Sequence, residues 1–248
     1  MKGSGSEYMR RVWILLGFVL LFVSAGNSQA EENSLKADSI KKTEPAKVNQ
    51  PNEAEIFCTR GLDYADKGEF DKAIEDLNKA IGINPNDAYT FYSRGNVYHK
   101  KGEFSKAIQD FNKAISINPN YANAFYSRGN AYYKKGELDK AIQDLDEVIK
   151  INPNDVKALD NKGYMLGKLN RYDEAVKLLD KATEIKPDYA NAWYNKACMY
   201  SLKGDKANVL KNLSRAIELD AKFREDAKKD KDFEKLWGDK DFKKIVGE

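Results

Sequence analysis

At residues 88–121 the chain reads AYTFYSRGNVYHKKGEFSKAIQDFNKAISINPNY, and at residues 122–155 it reads ANAFYSRGNAYYKKGELDKAIQDLDEVIKINPND. A tandem period of this length is the signature of a stacked-repeat architecture. Counting outwards divides the chain into five units of 34 residues: 54–87, 88–121, 122–155, 156–189 and 190–223. Within each unit apolar residues fall at helical spacing in two runs joined by a short turn, which predicts a pair of helices.

Glycine occupies two columns of the repeat for different reasons. One column ends the first helix, where a left-handed residue is favoured; it holds Gly68, Gly102, Gly136, Asn170 and Gly204. The other lies inside the first helix, where glycine costs about 0.8–1.0 kcal/mol relative to alanine; it holds Gly61, Gly95, Gly129, Gly163 and Ala197. Repeated use of a costly residue predicts close helix approach, and the expected facing residues are Ala73, Ala107, Ala141, Ala175 and Val209.

The units resemble tetratricopeptide repeats, whose pattern is aromatic-x₂-L-G-x₂-Y…A-x₃-F…P. The second unit matches it through Phe91, Arg94-Gly95, Tyr98, Ala107, Phe111 and Pro119. The resemblance covers residues 54–223, about two thirds of the chain. It implies an all-α, right-handed superhelical solenoid of five helix-turn-helix repeats. It also implies that the first helices line a concave face that binds a protein or peptide.

One column departs from the family pattern. The apolar residue before the internal glycine is replaced by a cation, namely Arg60, Arg94, Arg128, Lys162 or Lys196. The units with arginine also carry an aspartate in the second helix, at Asp76, Asp110 and Asp144. We therefore expect arginine–aspartate ion pairs between packed helices, either within a unit or to the preceding unit.

The N-terminus has the pattern of an export signal. Lys2, Arg10 and Arg11 precede the apolar run 12–23, and small residues follow up to Ala30. Twelve apolar residues form a helix of about 18 Å, too short for a hydrocarbon core of about 30 Å. Residues 1–30 are therefore predicted to be a cleaved signal peptide, and the chain to be exported to the periplasm or secreted. An uncleaved membrane anchor through residues 12–25 is the alternative.

Two further segments flank the repeats. Residues 31–53 have no aromatic residue and no apolar periodicity, which predicts a disordered linker. Residues 224–248 contain a short phrase twice, Asp230-Lys-Asp-Phe233 and Asp239-Lys-Asp-Phe242. An aspartate before an apolar helical run can cap a helix, so we expect short C-terminal helices that cover the last repeat. The alternative is a tail that docks on a partner.

The composition offers little for catalysis, cofactors or metals. Net charge is +3, charges of both signs are interspersed, and there are one histidine and two cysteines. No cationic block indicates nucleic-acid binding. Cys58 and Cys198 lie four repeats apart, too far for a disulfide, and are expected to be free thiols. No phosphate loop, metal-binding cysteine pair or calcium loop occurs. The chain is predicted not to be an enzyme and to need no cofactor or metal.

The expected concave face is rich in tyrosine and asparagine, which provide contact area and adaptable hydrogen bonds for a bound peptide. The candidate binding residues are Tyr92, Asn96, His99, Tyr126, Asn130, Tyr133, Lys157, Asn161 and Tyr194. They predict a non-enzymatic scaffold that binds a protein or peptide segment in the groove, in the cell envelope or outside the cell. Two alternatives remain: a self-associating structural protein, or solvated residues copied along with the repeat. The oligomeric state is not predicted.

Overall fold

A computed structural model of the chain describes residues 52–248. The predicted signal peptide, 1–30, and the linker up to residue 51 lie outside these residues. The first helices of the five units are α1 (Glu53–Asp66), α3 (Ala88–Lys100), α5 (Ala122–Lys134), α7 (Val156–Lys168) and α9 (Ala190–Lys203). The second helices are α2 (Phe70–Ile83), α4 (Phe104–Ile117), α6 (Leu138–Ile151), α8 (Tyr172–Ile185) and α10 (Lys206–Leu219). The tail forms α11 (Lys222–Ala227), a 3-10 helix (Lys231–Leu236) and α12 (Lys240–Val246).

The helices stack in chain order. Each first helix packs on the second helix of its own unit, and that second helix packs on the first helix of the next unit. First helices also contact one another, α1 with α3, α3 with α5 and α7 with α9. They therefore lie side by side along one surface, which we call the inner face. Residues 52–248 contain no strand, and the prediction of an all-α solenoid of helix pairs is confirmed.

The predicted turn chemistry is present. Gly68, Gly102, Gly136 and Gly204 have φ values of 78–79°, and Asn170 takes the same left-handed region at φ 61°. At the starts of helices, aspartate accepts backbone N–H bonds: the Asp87 carboxylate accepts from the N–H groups of the second and third residues of α3, both at 3.1 Å. None of the helices between residues 52 and 248 is long and apolar enough to cross a bilayer.

The internal glycines mark close helix approach, and the predicted alanines face them in part: a Cβ atom on Gly129 would lie 3.3 Å from the carbonyl oxygen of Ala141. In other units a larger side chain comes closer than the predicted alanine. A Cβ atom on Gly95 would lie 2.6 Å from Cε1 of Phe111, not against Ala107. Side chains on a helix lean toward its N-terminus, so a residue one turn further along covers the contact point. Gly61 and Gly163 face Leu77 and Leu179 in the same way, with Cβ-to-Cγ distances of 2.9 Å.

The predicted ion pairs form within units. In the second unit, Arg94 donates from Nε and Nη2 to the carboxylate of Asp110 at 2.8 and 2.6 Å. Its remaining nitrogen, Nη1, donates to Oδ1 of Asn78 in the preceding unit at 2.5 Å. Arg128 repeats this arrangement with Asp144. One guanidinium thus joins three helices, using a bidentate geometry that a lysine cannot provide.

Lysine changes the direction of the pair in the last two units. Lys162 pairs with Asp146, and Lys196 pairs with Asp180 at 2.5 Å. Both carboxylates belong to the second helix of the preceding unit, and leucine or asparagine replaces the aspartate within the unit. The column therefore keeps a cation that joins neighbouring repeats, whichever unit supplies the carboxylate.

The C-terminal helices cover the last repeat, as predicted. Asp230 caps the 3-10 helix, and Asp239 caps α12. Phe233 and Phe242 are fully buried, with ring centroids 5.7 Å apart. This tail closes the apolar end of the solenoid, which stacked repeats require for solubility.

Candidate functional site

Predicted site residues line two recesses on the inner face, each with a volume of about 310 Å³. The first recess lies between α1 and α3; its lining includes Leu62, Asp66, Tyr89, Tyr92, Asn96, His99 and Lys100. The second recess lies between α3, α5 and α7; it is lined by His99, Asn130, Tyr133, Lys134, Asn161, Tyr164 and Met165. His99 belongs to both. Six of the nine predicted site residues thus line these recesses, and four of the six do so in the second.

The predicted pair Tyr92 and Asn96 serves two purposes. The ring of Tyr92 lies 5.1 Å from that of Tyr121 and 6.0 Å from that of Phe111. Tyr92 is therefore largely a packing residue, held where the second unit meets the third. Asn96, one helical turn later, is half-buried and lines the first recess. Its amide is the group of this pair that can bond a bound segment.

His99 sits between the two recesses with its ring edge-on to Phe104, at a centroid distance of 5.2 Å. Its Nε2 is buried without a hydrogen-bond partner among residues 52–248. Burial, and then the charge of Lys134, lowers the pKa of His99. The imidazole is therefore neutral near pH 7. An unpaired buried polar atom costs about 1–3 kcal/mol, which requires a reason in a native structure.

Hydrogen-bond donors converge in the second recess. The hydroxyl oxygens of Tyr133 and Tyr164 lie 3.4 Å apart. Burial raises the pKa of Tyr164, so its hydroxyl stays protonated. At the edge of the recess, Asn161 Nδ2 donates to the hydroxyl of Tyr126 at 2.7 Å, which ties α7 to α5. Tyr126 therefore positions Asn161 and does not line the recess itself.

A carboxylate lies beneath this surface in α7. Asp160 is 3% exposed and accepts a hydrogen bond from Nδ2 of Asn195 at 2.8 Å. Burial raises its pKa to about 6, while the hydrogen bonds from Asn195 and Tyr189 act in the opposite direction. A buried carboxylate without a paired cation is costly when ionised.

Besides Tyr126, two of the predicted site residues lie outside both recesses. Tyr194 is only 8% exposed because the tail covers it, with its ring stacked on Phe223 at 4.5 Å and its hydroxyl donating to Asp230 at 2.8 Å. Tyr194 therefore contacts the tail and does not lie on the open part of the inner face. Lys157 is exposed at the start of α7, one turn before Asn161.

Three residues that line the second recess were not among the nine candidate residues, namely Lys134, Tyr164 and Met165. A signal for the lysine was present. Lys100, Lys134 and Lys168 recur at intervals of 34 residues, each as the last residue of a first helix. A cation thus marks the same edge of the inner face in three consecutive units.

The two cysteines are free and buried, as predicted. Burial raises the pKa of both thiols, which disfavours the thiolate that a nucleophile needs. Cys198, Asp230 and Asp232 bring their potential ligand atoms within 4.8 Å of one another. However, Oδ2 of Asp230 accepts from the Tyr194 hydroxyl, and its Oδ1 accepts from the backbone N–H of Asp232. These hydrogen bonds show that the cluster attaches the tail to α9; we call this contact the seat of the tail.

The first unit differs from the later ones. Position 10 of the unit holds buried Val97, Ala131, Met165 and Met199 in the later units, but exposed Asp63 in the first. Position 3 of the unit holds buried Thr90, Ala124, Ala158 and Ala192 in the later units, but Ile56, which is 49% exposed, in the first. In α1, the charged Asp63 and the large Ile56 therefore occupy positions at which the later first helices have residues buried against a preceding repeat.

Family models identify the repeats. Models described as TPR repeat match residues 61–102, 95–136 and 163–204, and models described as Tetratricopeptide repeat match residues 122–155, 145–177 and 190–223. Together these matches span residues 61–223. No curated protein sequence matches the chain.

Several solved structures are similar. One is YrrB, described as a TPR protein with an unusual peptide-binding site: 27% identity, 71% of this chain and 92% of that chain covered, and a TM-score of 0.61. Another is MamA, with 27% identity, 65% of this chain and 95% of that chain covered, and a TM-score of 0.62. A third is a tetratricopeptide repeat protein from Parabacteroides merdae, with 21% identity, 79% of this chain and 74% of that chain covered, and a TM-score of 0.65. At this identity the similarity shows the fold alone.

Proposed function

The chain belongs to the tetratricopeptide repeat family, and on that premise we propose that it is a non-enzymatic scaffold that holds a segment of a partner protein on its inner face. The observation that carries this proposal is the second recess. There, Tyr133, Asn130 and Tyr164 present polar groups between three helices, beside the unpaired Nε2 of His99. A bound segment would form hydrogen bonds with the exposed polar groups of the recess and bury the aromatic surface around them.

Two further observations support a groove binder. The similar structure of YrrB is that of a protein with a peptide-binding site. In addition, the buried thiols of Cys58 and Cys198 are unsuited to nucleophilic catalysis. The inner face therefore offers binding groups without a reactive one.

End-to-end self-association is the weaker alternative. Stacking of one molecule on another would press a helix against α1, where exposed Asp63 would lose water without a partner. At the other end the tail already covers α9 and α10, with Phe233 and Phe242 fully buried. Both ends thus carry features of terminal repeats.

Export to the cell envelope or the exterior remains part of the proposal and rests on residues 1–30. Sequencing the N-terminus of the protein isolated from its own cells tests it. A mature chain that begins at Glu31 would support export with cleavage. A chain that retains the apolar run 12–23 in the membrane fraction would support the anchor instead.

The binding role is tested by crosslinking and affinity purification from the same cells. The test variant is Asn96→Ala/Asn130→Ala, which removes one amide from each recess. The matched control is Asn86→Ala/Asn120→Ala, which removes two exposed amides from turns between units. We expect the test variant to lose partner recovery and the control to keep it. Equal recovery with both variants would place binding away from the inner face.

A further inference from the structure

The tail of the chain already occupies the inner face of the fifth unit. On α9, Tyr194 donates its hydroxyl to Asp230 Oδ2 at 2.8 Å, and Ser201 donates its hydroxyl to the backbone carbonyl of Asp232 at 2.6 Å. Between them, Cys198 Sγ lies 3.8 Å from Oδ2 of Asp230. These three residues of α9 occupy the same repeat positions as Tyr126, Asn130 and Tyr133 in α5.

The bound tail segment contributes two aspartates and one aromatic anchor, although its lysines leave residues 229–237 neutral overall. Phe233 is fully buried, edge-on to Tyr194 at a centroid distance of 5.7 Å. Asp232 lines a small recess of about 150 Å³ together with Lys168 and Met199. Burial and then the charge of Asp230 raise the pKa of Asp232, and the charge of Lys168 acts in the opposite direction. An aspartate thus lies at the lysine edge of the inner face.

The second recess lies one repeat earlier and shares part of this seat, but Asp160 and Gly167 occupy the positions of the hydroxyl donors Tyr194 and Ser201. Lys134 stands in the position of Lys168, and Met165 stands in the position of Met199. Tyr164 replaces Cys198, so a hydroxyl donor takes the place of the thiol next to the carboxylate.

The charge of the second recess favours an acidic occupant. None of the described residues that line it is acidic, and Lys134 is exposed at its edge. The acidic side chain closest in sequence, Asp160, is buried beneath the surface and bonded to Asn195. A carboxylate placed here would meet the ammonium group of Lys134 and the hydroxyls of Tyr133 and Tyr164, all of which are donors.

We propose that the second recess binds an internal segment of a partner protein in which an aspartate is followed closely by an aromatic residue, as in the chain's own Asp230–Phe233. This proposal rests on the function proposed above and specifies its ligand. The carboxylate accepts from Lys134 and Tyr164, and the aromatic ring packs on the tyrosines. Because the tail binds through side chains and a backbone carbonyl, no free carboxyl terminus is required.

A labelled peptide tests this proposal on the full chain. The probe is residues 229–237, KDKDFEKLW, with fluorescein at a blocked N-terminus and a C-terminal amide, followed by fluorescence anisotropy. We expect it to bind at least tenfold more tightly than the same peptide with asparagine at both aspartates. We expect a similar loss with alanine in place of phenylalanine. Equal affinity for the aspartate and asparagine peptides, or no binding, would overturn the proposal.

Variants locate the bound probe. Lys134→Gln should weaken binding at least fivefold, whereas Lys135→Gln, a change of the same charge on the neighbouring exposed residue, should not. Tyr194→Phe loosens the tail at the fifth unit and should leave the affinity of the probe unchanged. Binding that responds to Tyr194→Phe but not to Lys134→Gln would mean that the probe only replaces the tail, and would refute the proposal.

The affinity purification described above separates this proposal from the broader one. If the chain recovers a partner that depends on Asn96 and Asn130 while the aspartate and asparagine peptides bind equally, only the acidic specificity is wrong. If partner recovery is also independent of those asparagines, the binding role of the inner face fails as well.

Discussion

Replacing Asp160 with asparagine should stabilise the protein near neutral pH. The carboxyl group is 3% exposed, and burial raises its pKa from an ordinary 3.8 to about 6. A shift of about 2 pH units corresponds to about 3 kcal/mol at 1.36 kcal/mol per unit. Asparagine retains an oxygen that can accept the hydrogen bond from Asn195 and removes the charge.

The sign follows from linkage. The folded carboxyl binds its proton more tightly than the unfolded one, so its stabilising contribution is complete below about pH 4 and is lost as the pH rises through 6. Urea unfolding of wild type and Asp160→Asn at pH 4, 5, 6, 7 and 8 measures this. Between pH 4 and pH 8, the free energy of unfolding of the variant should rise by about 3 kcal/mol relative to that of wild type. Asp139→Asn, which removes an exposed carboxylate from α6, controls for net charge. A difference that does not change with pH would refute the explanation.

Three other substitutions test the packing by urea unfolding. Gly95→Ala should lower the free energy of unfolding by about 1–3 kcal/mol, because the new Cβ atom would lie 2.6 Å from the fully buried ring of Phe111. As a control, Gly82→Ala should raise it by up to about 1 kcal/mol, because nothing lies within 4 Å of the new Cβ atom. Arg128→Leu should lower the free energy of unfolding by about 3–5 kcal/mol, because it leaves the buried carboxylate of Asp144 unpaired. Changing both residues to leucine should recover most of that loss. Losses that add in the double variant would contradict this explanation. Asn212→Leu should gain about 1 kcal/mol because its buried Oδ1 has no partner among the described residues.

The repeat architecture could be predicted because local chemistry recurs in register. The left-handed turn at Gly102 needs only the backbone freedom of one residue, and its φ is 79°. The pairing of Arg94 with Asp110 follows from two charges in packed helices. In contrast, the identity of the partner of Gly95 depends on how the helices are rotated about their axes, which repeat spacing leaves undetermined.

The site was only partly predictable, for reasons of tertiary structure. Tyr194 and Tyr126 occupy the same position in their repeats, but the tail covers only Tyr194. That difference depends on the path of the chain after α10, which the repeat does not encode. The role of Tyr164 in the second recess depends on α5 and α7 facing each other, and the unusual burial of Asp160 depends on Asn195 in the next unit.

Site-specific photocrosslinking tests the central claim, that the inner face holds a partner segment. A photoreactive phenylalanine analogue replaces either Tyr133, in the second recess, or Ile185, a 38% exposed residue at the end of α8. After irradiation in the protein's own cells, we predict a discrete crosslinked protein from position 133 and none from position 185. Crosslinks from position 185 alone, or from neither position, would contradict the account.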